Sequence, residues 1–167
     1  MNWFKNIQHQ ILSKTSFVNF TIIISIFFLD RITKVKIIAH QENNNIIFVN
    51  DYLNLELIWN TGIGFGLLSL DANLFYHLIT LLIFFVIIFL FYVIYKSSYV
   101  DKILFSLVLG GALGNFYDRI LYFAVPDFID LHYNDFHWFT FNIADIFISV
   151  GIILHIVKDL IFKKNEI

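Results

Sequence analysis

Cysteine is absent from this 167-residue chain, which excludes disulfides and thiolate chemistry and leaves the redox compartment unmarked. Proline occurs once, at Pro126, so its conformational effect is confined to one loop. Charge is scarce: Asp, Glu, Lys and Arg together make up 14% of the residues, against about 25% in soluble domains. The net charge of -2 offers no electrostatic footprint for a nucleic-acid partner. Apolar side chains fill the gap, with 59% hydrophobic and 19% aromatic residues, a composition that belongs in lipid. By length the chain, 1–167, is a single domain, and it shows no internal repeat.

Four segments reach the roughly 20 mostly apolar residues that a bilayer requires. They run approximately Phe17 to Lys36, Leu74 to Tyr95, Ile103 to Ile120 and Asn142 to Ile161. The first has no small-residue cleavage site after its apolar run and continues into DRITKVK, so it reads as a retained span. If the amino terminus is cytoplasmic, the inner segments hold Lys5, Lys14, Lys96, Lys102, Lys158, Lys163 and Lys164, seven of the eleven basic residues. The positive-inside rule then places both termini in the cytoplasm. Arg31, Lys34, Lys36 and Arg119 fall near outer helix ends, where long side chains snorkel to the interface. Ten of the thirteen acids fall outside or at outer helix ends.

Two polar segments lie on that outer side. In the first, about Ile37 to Asn73, the stretch YLNLELIWN (52–60) alternates Leu53, Leu55 and Leu57 with Asn54 and Glu56, a period of two that predicts a half-buried strand. QENNN (41–45) reads as a turn or loop. In the second, Leu121 to Phe141, the run HWFTF is expected to pair with that strand as a small surface sheet. The expected fold is thus membrane α-helical, with four transmembrane helices and a small β-rich outer-face subdomain.

Acids are costly at hydrocarbon edges and usually mark function there. Asp127, in VPDFID (125–130), follows Pro126, which biases Val125 away from helix and puts Asp127 on extended chain. Asp145, in FNIAD (141–145), lies in the first turn of the fourth helix if Asn142 caps it. Both reach the same interface. Asn115 and Asp118 in GGALGNFYDR (110–119) share a helix face near that level, Asp30 precedes Lys34 by one turn, and Asn60 leads into NTGIGFG (60–66), where Gly62, Gly64 and Gly66 permit a tight backbone path.

These five ordered motifs, LDRITK, NTGIGFG, GGALGNFYDR, VPDFID and FNIAD, resemble those of the bacterial lipoprotein signal peptidases, or signal peptidase II, over nearly the whole chain. The resemblance implies an aspartic endopeptidase of the cytoplasmic membrane, active at its outer face, that cleaves prolipoproteins before a diacylglyceryl-modified cysteine. It implies a catalytic pair at Asp127 and Asp145, supported by Asp30, Asn60, Gly62, Asn115, Asp118, Arg119, Asn142 and Ala144. The implied partners are the lipidated precursor and membrane lipids, with the chain a monomer and no cofactor or metal. Pro126 stands where many members have another residue, which bears on loop geometry.

The residues fit that chemistry. Two close carboxylates cannot both ionise cheaply, so one keeps a proton while the other accepts one from water; which acid takes which role stays open at this stage. Taken singly the features have plainer readings: Asn142 with Asp145 is also a helix cap with a first-turn acid, Asp30 with Lys34 an i,i+4 ion pair, and Gly110 with Gly114 a GxxxG packing motif. His132 and His137, near Asp130 and Asp135, lack the H-E-x-x-H metal spacing. Ser149 and His155 lie on different faces of one helix, with no G-x-S-x-G. The rival function is a small four-helix transporter or assembly factor, but a relay needs acids at several depths, and these gather at one level.

The topology is testable because no native cysteine interferes. With an impermeant thiol reagent on cells whose outer envelope is permeabilised, a cysteine at Asn44 should label and one at Ser98 should not; the reverse pattern inverts the orientation.

Overall fold

All four apolar segments form helices, α1 (Lys14–His40), α2 (Ala72–Lys96), α3 (Tyr99–Tyr122) and α4 (Ile143–Lys163); the first three run past both expected ends, while α4 starts one residue after Asn142 and runs two past Ile161. The structure, a computed structural model, describes residues 14–40, 46–61, 72–134 and 136–163. Local chemistry sets the limits of α3. Ser98 caps its start by accepting from the Asp101 amide, and Asp101 sits in the first turn, where a negative charge suits the helix dipole. At the other end Phe123 adopts a left-handed conformation (φ 57°) and Pro126 follows, a common stop signal.

Helix α3 packs against α1, α2 and α4, with Ile87, Leu90, Val108 and Leu109 buried at its contact with α2. Its glycines permit the approach of both other neighbours. A Cβ on Gly110 would stand 2.9 Å from the Ile26 Cβ of α1, and one on Gly111 would run into the Ala144 carbonyl oxygen of α4. The GxxxG reading therefore describes this helix well.

The polar segments make one antiparallel sheet in the order β1-β2-β3-β4, from β1 (Ile47–Asn50), β2 (Leu53–Asn60), β3 (Val125–Tyr133) and β4 (Phe136–Phe141). The strand at 52–60 is present. Its expected partner is not: HWFTF pairs with β3, which lies between it and β2. The reason is the two-residue connection at 134–135, opened by Asn134 at φ 50°, which returns β4 directly against β3. Strand β1 was not anticipated, being short and flanked by asparagines.

Register decides what meets Asp127. Strand β4 ends with Phe141 opposite Ile129, so Val125 to Phe128 have β2 on one side and no β4 on the other. Pro126, with no amide to donate, is tolerated where the ladder is one-sided. The chain leaving β4 goes straight into Asn142 and α4, bringing that helix start beside Asp127. On the β2 side an extra residue is inserted between Leu55 and Ile58, a bulge of the kind that re-aims side chains next to functional sites.

Among the described residues, α2 is the helix long and apolar enough to cross a bilayer on its own, with a mean hydropathy of 3.0 over Tyr76–Lys96. Its Phe85 and Phe89 point outward, 57% and 61% exposed.

Because the Gly111 Cβ would meet backbone rather than a flexible side-chain end, Gly111→Ala should lower the melting temperature of the detergent-solubilised protein, consistent with the ~1–3 kcal/mol cost of overpacking. An unchanged melting point would mean that α3 and α4 are not this close.

Candidate active site

Helix α4 begins with Asn142, whose Oδ1 accepts from the Asp145 amide at 3.1 Å, while the Asn142 amide donates to Asp145 Oδ2 at 3.1 Å. This is a reciprocal capping box. The sequence cap is thus present, and the capping residue has a second use: its Nδ2 donates to Asp127 Oδ1 at 2.6 Å. One asparagine therefore binds both acids. Asp127 Oδ2 accepts from Asn60 Nδ2 of β2 at 2.8 Å, and Asp145 Oδ1 accepts from Asn115 Nδ2 of α3 at 2.7 Å.

Beyond Asn115 lies the charge that organises the floor. Lys34 is 0% exposed, and its ammonium donates to Asp30 Oδ2 (2.8 Å), Asn115 Oδ1 (2.9 Å) and Asp118 Oδ2 (2.7 Å). All three of its protons are used. The ammonium on one side and a carboxylate on the other fix which way the Asn115 amide faces. Asp30 Oδ1 accepts from the Ala144 amide at 2.9 Å, one of the donors that a helix start leaves unsatisfied. Gly114 leaves room for this: a Cβ there would stand 2.6 Å from Asp30 Oδ2. Asp118 also binds Arg31, whose guanidinium lies over the Tyr117 and Tyr122 rings.

Asp127 is 3% exposed, and burial pushes its carboxyl up to about 6. The Asn60 and Asn142 hydrogen bonds pull the other way, and the charge of Asp145 adds to the rise. The charge of Asp145 is thus felt at Asp127.

These features coincide with a known family. The family model described as signal peptidase (SPase) II matches residues 22–161. The chain belongs to the signal peptidase II family. It is 46% identical to the lipoprotein signal peptidase of Pelagibacter ubique, over 95% of this chain and 97% of that one, and 42% identical to that of Aquifex aeolicus, over 88% of each. Among solved structures, a bacterial membrane enzyme determined by the in meso method at 2.3 Å resolution superposes with a TM-score of 0.73 at 33% identity, covering 90% of this chain and 92% of that one.

Of the residues expected from the resemblance to signal peptidase II, Asp30, Asn60, Asn115, Asp118, Asp127, Asn142, Ala144 and Asp145 fall in one connected network. Arg119 is beside it. Its guanidinium covers the Tyr76 ring and its carbonyl accepts from the Tyr76 hydroxyl at 2.5 Å, while its Nη1 is buried with no hydrogen-bond partner among the described residues. Gly62, Gly64 and Gly66 lie outside the described residues, as does QENNN. The snorkelling expected of Lys34 and Arg119 is corrected, since both are buried. Lys34 is the residue that sequence reasoning undervalued. The signal was there: a lysine one turn from Asp30 in an apolar segment, with Asp118 in another.

The spacing argument also set the histidines aside, yet the β3–β4 register places His132 opposite His137, and His137 Nδ1 lies 2.8 Å from Asp130 Oδ2. They do form a cluster.

Removing the ammonium leaves buried Asp30 without a cation and Asp118 with Arg31 alone. Lys34→Met should therefore destabilise the protein by about 3–5 kcal/mol, as breaking a buried ion pair does, and lower both melting temperature and yield. Normal melting of the purified variant would show that the network is not the floor described here.

Proposed function

We propose that this chain is an aspartic endopeptidase that removes signal peptides from diacylglyceryl-modified prolipoproteins, with Asp127 and Asp145 as its catalytic pair. The observation that carries the reading is the double engagement of Asn142, which ties the helix start bearing Asp145 to the strand bearing Asp127. Its relatives are named lipoprotein signal peptidases, which supports the substrate class.

Asp127 is buried and its carboxyl is raised towards neutrality, so this reading gives it the proton-donor role. Asp145, at a helix amino terminus with donors on both oxygens, takes the base role in this reading. Asp145 removes a proton from a water that adds to the scissile carbonyl, and Asp127 protonates the carbonyl oxygen as the tetrahedral intermediate forms. On collapse the carbon–nitrogen bond breaks, the leaving amine takes a proton from Asp145, and Asp127 recovers its own. Asn60, Asn115 and Asn142 hold the two acids in register; Asp30, Asp118 and Lys34 hold Asn115 and the α4 start; Arg119 ties the end of α3 to the start of α2 through Tyr76.

Four helices cross the cytoplasmic membrane in this reading, both termini are cytoplasmic, and the sheet lies at the outer face. Helices α1, α3 and α4 have 27, 24 and 21 residues, about 31–40 Å at 1.5 Å per residue, which matches a hydrocarbon core of about 30 Å. No Asp, Glu, Lys or Arg lies between Lys14 and Asp30, between Lys102 and Asp118 or between Asp145 and Lys158. That gap speaks against a transport relay. Immediately below the polar floor, a fissure of about 300 Å³ between α1, α3 and α4 is lined by Ile26, Leu29, Leu107 and Phe147, an apolar surface suited to an acyl chain. The protein acts as a monomer.

The decisive experiment incubates the purified protein with a lipidated prolipoprotein and follows release of the signal peptide. Asp127→Asn and Asp145→Asn should each lower the rate by about ten-thousandfold or more, and the double variant should be little worse, since paired groups act as a unit. Asp30→Asn, altering a support, should retain measurable cleavage at reduced stability. The raised carboxyl adds a second readout. A group that holds its proton more tightly when folded stabilises the protein below its unfolded value near 4, and that contribution is lost as pH rises through about 6. Wild type should lose stability across that interval and Asp127→Asn should lack that component. Near-normal cleavage by well-folded Asp145→Asn would return Asn142 and Asp145 to capping alone.

A further inference from the structure

The β3–β4 hairpin carries a group of ligating side chains that the proposed reaction does not use. Strand alternation puts Asp130 and His132 on one face of β3 and Asp127 on the other. Both register irregularities involving β3 insert the extra residue in its neighbour, β2 or β4, so β3 itself alternates without interruption. His137 of β4 is directly opposite His132 and joins it on that face. The two imidazole rings stack with centroids 5.4 Å apart. Their Nδ1 atoms both face Asp130 Oδ2, at 2.8 Å for His137 and 3.6 Å for His132, and one ligand atom from each residue lies within 4.8 Å of the others.

The electrostatics of this cluster are incomplete. Asp130 is 1% exposed, and a buried carboxylate needs a countercharge. Among the described residues, its ion-pair partners are these two histidines; no lysine or arginine reaches it. Asp130 Oδ1 and His132 Nδ1 are both buried with no hydrogen-bond partner among the described residues. Each can offer a lone pair to a bound ion. A comparable group at the other end of the helices, Asp101 with His155 and Asp159, differs in the respect that matters. Lys158 already binds Asp101 and lies 3.5 Å from Asp159, so a fixed cation occupies that place.

We propose that Asp130, His132 and His137 bind a divalent transition-metal ion of the zinc class. Two imidazoles and one carboxylate are a common three-ligand set for zinc, with solvent completing the tetrahedron, and imidazole disfavours calcium and magnesium. The ion supplies the countercharge that Asp130 lacks and engages the free His132 nitrogen. It also clips β3 to β4 three residues along from Asp127, and so stiffens the strand that presents this acid. The site is structural, on the opposite face of the strand from the carboxylate pair.

The test uses the full chain without a polyhistidine tag, in detergent, stripped with chelator and then titrated with zinc chloride. Zinc should bind saturably at one ion per chain and raise the melting temperature, whereas magnesium should do neither. X-ray absorption of the zinc-loaded wild type should show two imidazoles among ligands at about 2.0–2.1 Å. Cobalt(II) should give ligand-field absorption bands at the same stoichiometry. His137→Ala removes a side chain that is 53% exposed, so folding is expected to survive; it should weaken zinc binding at least about tenfold and abolish the cobalt bands. His155→Ala should change neither. Absence of saturable zinc uptake by monodisperse, helical wild type overturns the proposal. So does a metal shell with fewer than two imidazoles, or uptake that survives both His137→Ala and Asp130→Asn.

Discussion

A lysine ammonium withdrawn from water must find its full complement of acceptors within the protein, or the fold does not form. Lys34 finds them on two helices: Asp30 on its own α1, and Asn115 and Asp118 on α3. Those acceptors in turn face outward from the ammonium. Asp30 reaches the first turn of α4 through the Ala144 amide, Asn115 reaches Asp145, and Asp118 holds Arg31. Three helices are joined through one cation, and two of its bonds, to Asp30 and Asn115, orient groups one step closer to the carboxylate pair. Small residues make the arrangement sterically possible: Gly111 and Gly114 face Ala144 and Asp30 where any larger side chain would push the helices apart.

The start of α4 shows how one local motif serves two levels of structure. A capping box satisfies helix-end donors with a side chain at each of two positions, usually for stability alone. Here the N3 member is Asp145 and the cap is Asn142, whose remaining amide protons extend to Asp127 on a strand from the sheet. The plain reading of these residues as a helix cap describes these bonds, and the proposed catalytic role uses the same ones.

Much of this was legible in the chain. Apolar runs located all four helices, the two-residue alternation of Leu53, Leu55 and Leu57 located β2, and Pro126 announced that Asp127 lies on extended backbone. What sequence alone left unread depends on pairing and depth. The order of the strands turns on a two-residue connection, too short a signal to outweigh the apparent match between HWFTF and β2. The burial of Lys34 depends on Asn115 and Asp118 arriving from 81 and 84 residues away. His132 and His137 are cross-strand neighbours, a relation that motif spacing along the chain does not encode. Residue types were informative; their partners were set by packing.

The order in which the chain is made gives the α4 start a further meaning. Synthesis proceeds from the amino terminus, so α1, the sheet strands β1 to β3 and α3 all exist before Asn142 does. Until that residue and the helix behind it are in place, Asp127 lacks one of its two amide donors, Asp30 lacks the Ala144 amide, and Asp145 is missing altogether. On the proposed reading, a chain interrupted before Asn142 has the scaffold without the carboxylate pair. Arrival of α4 is then what completes the pair and its hydrogen bonds together.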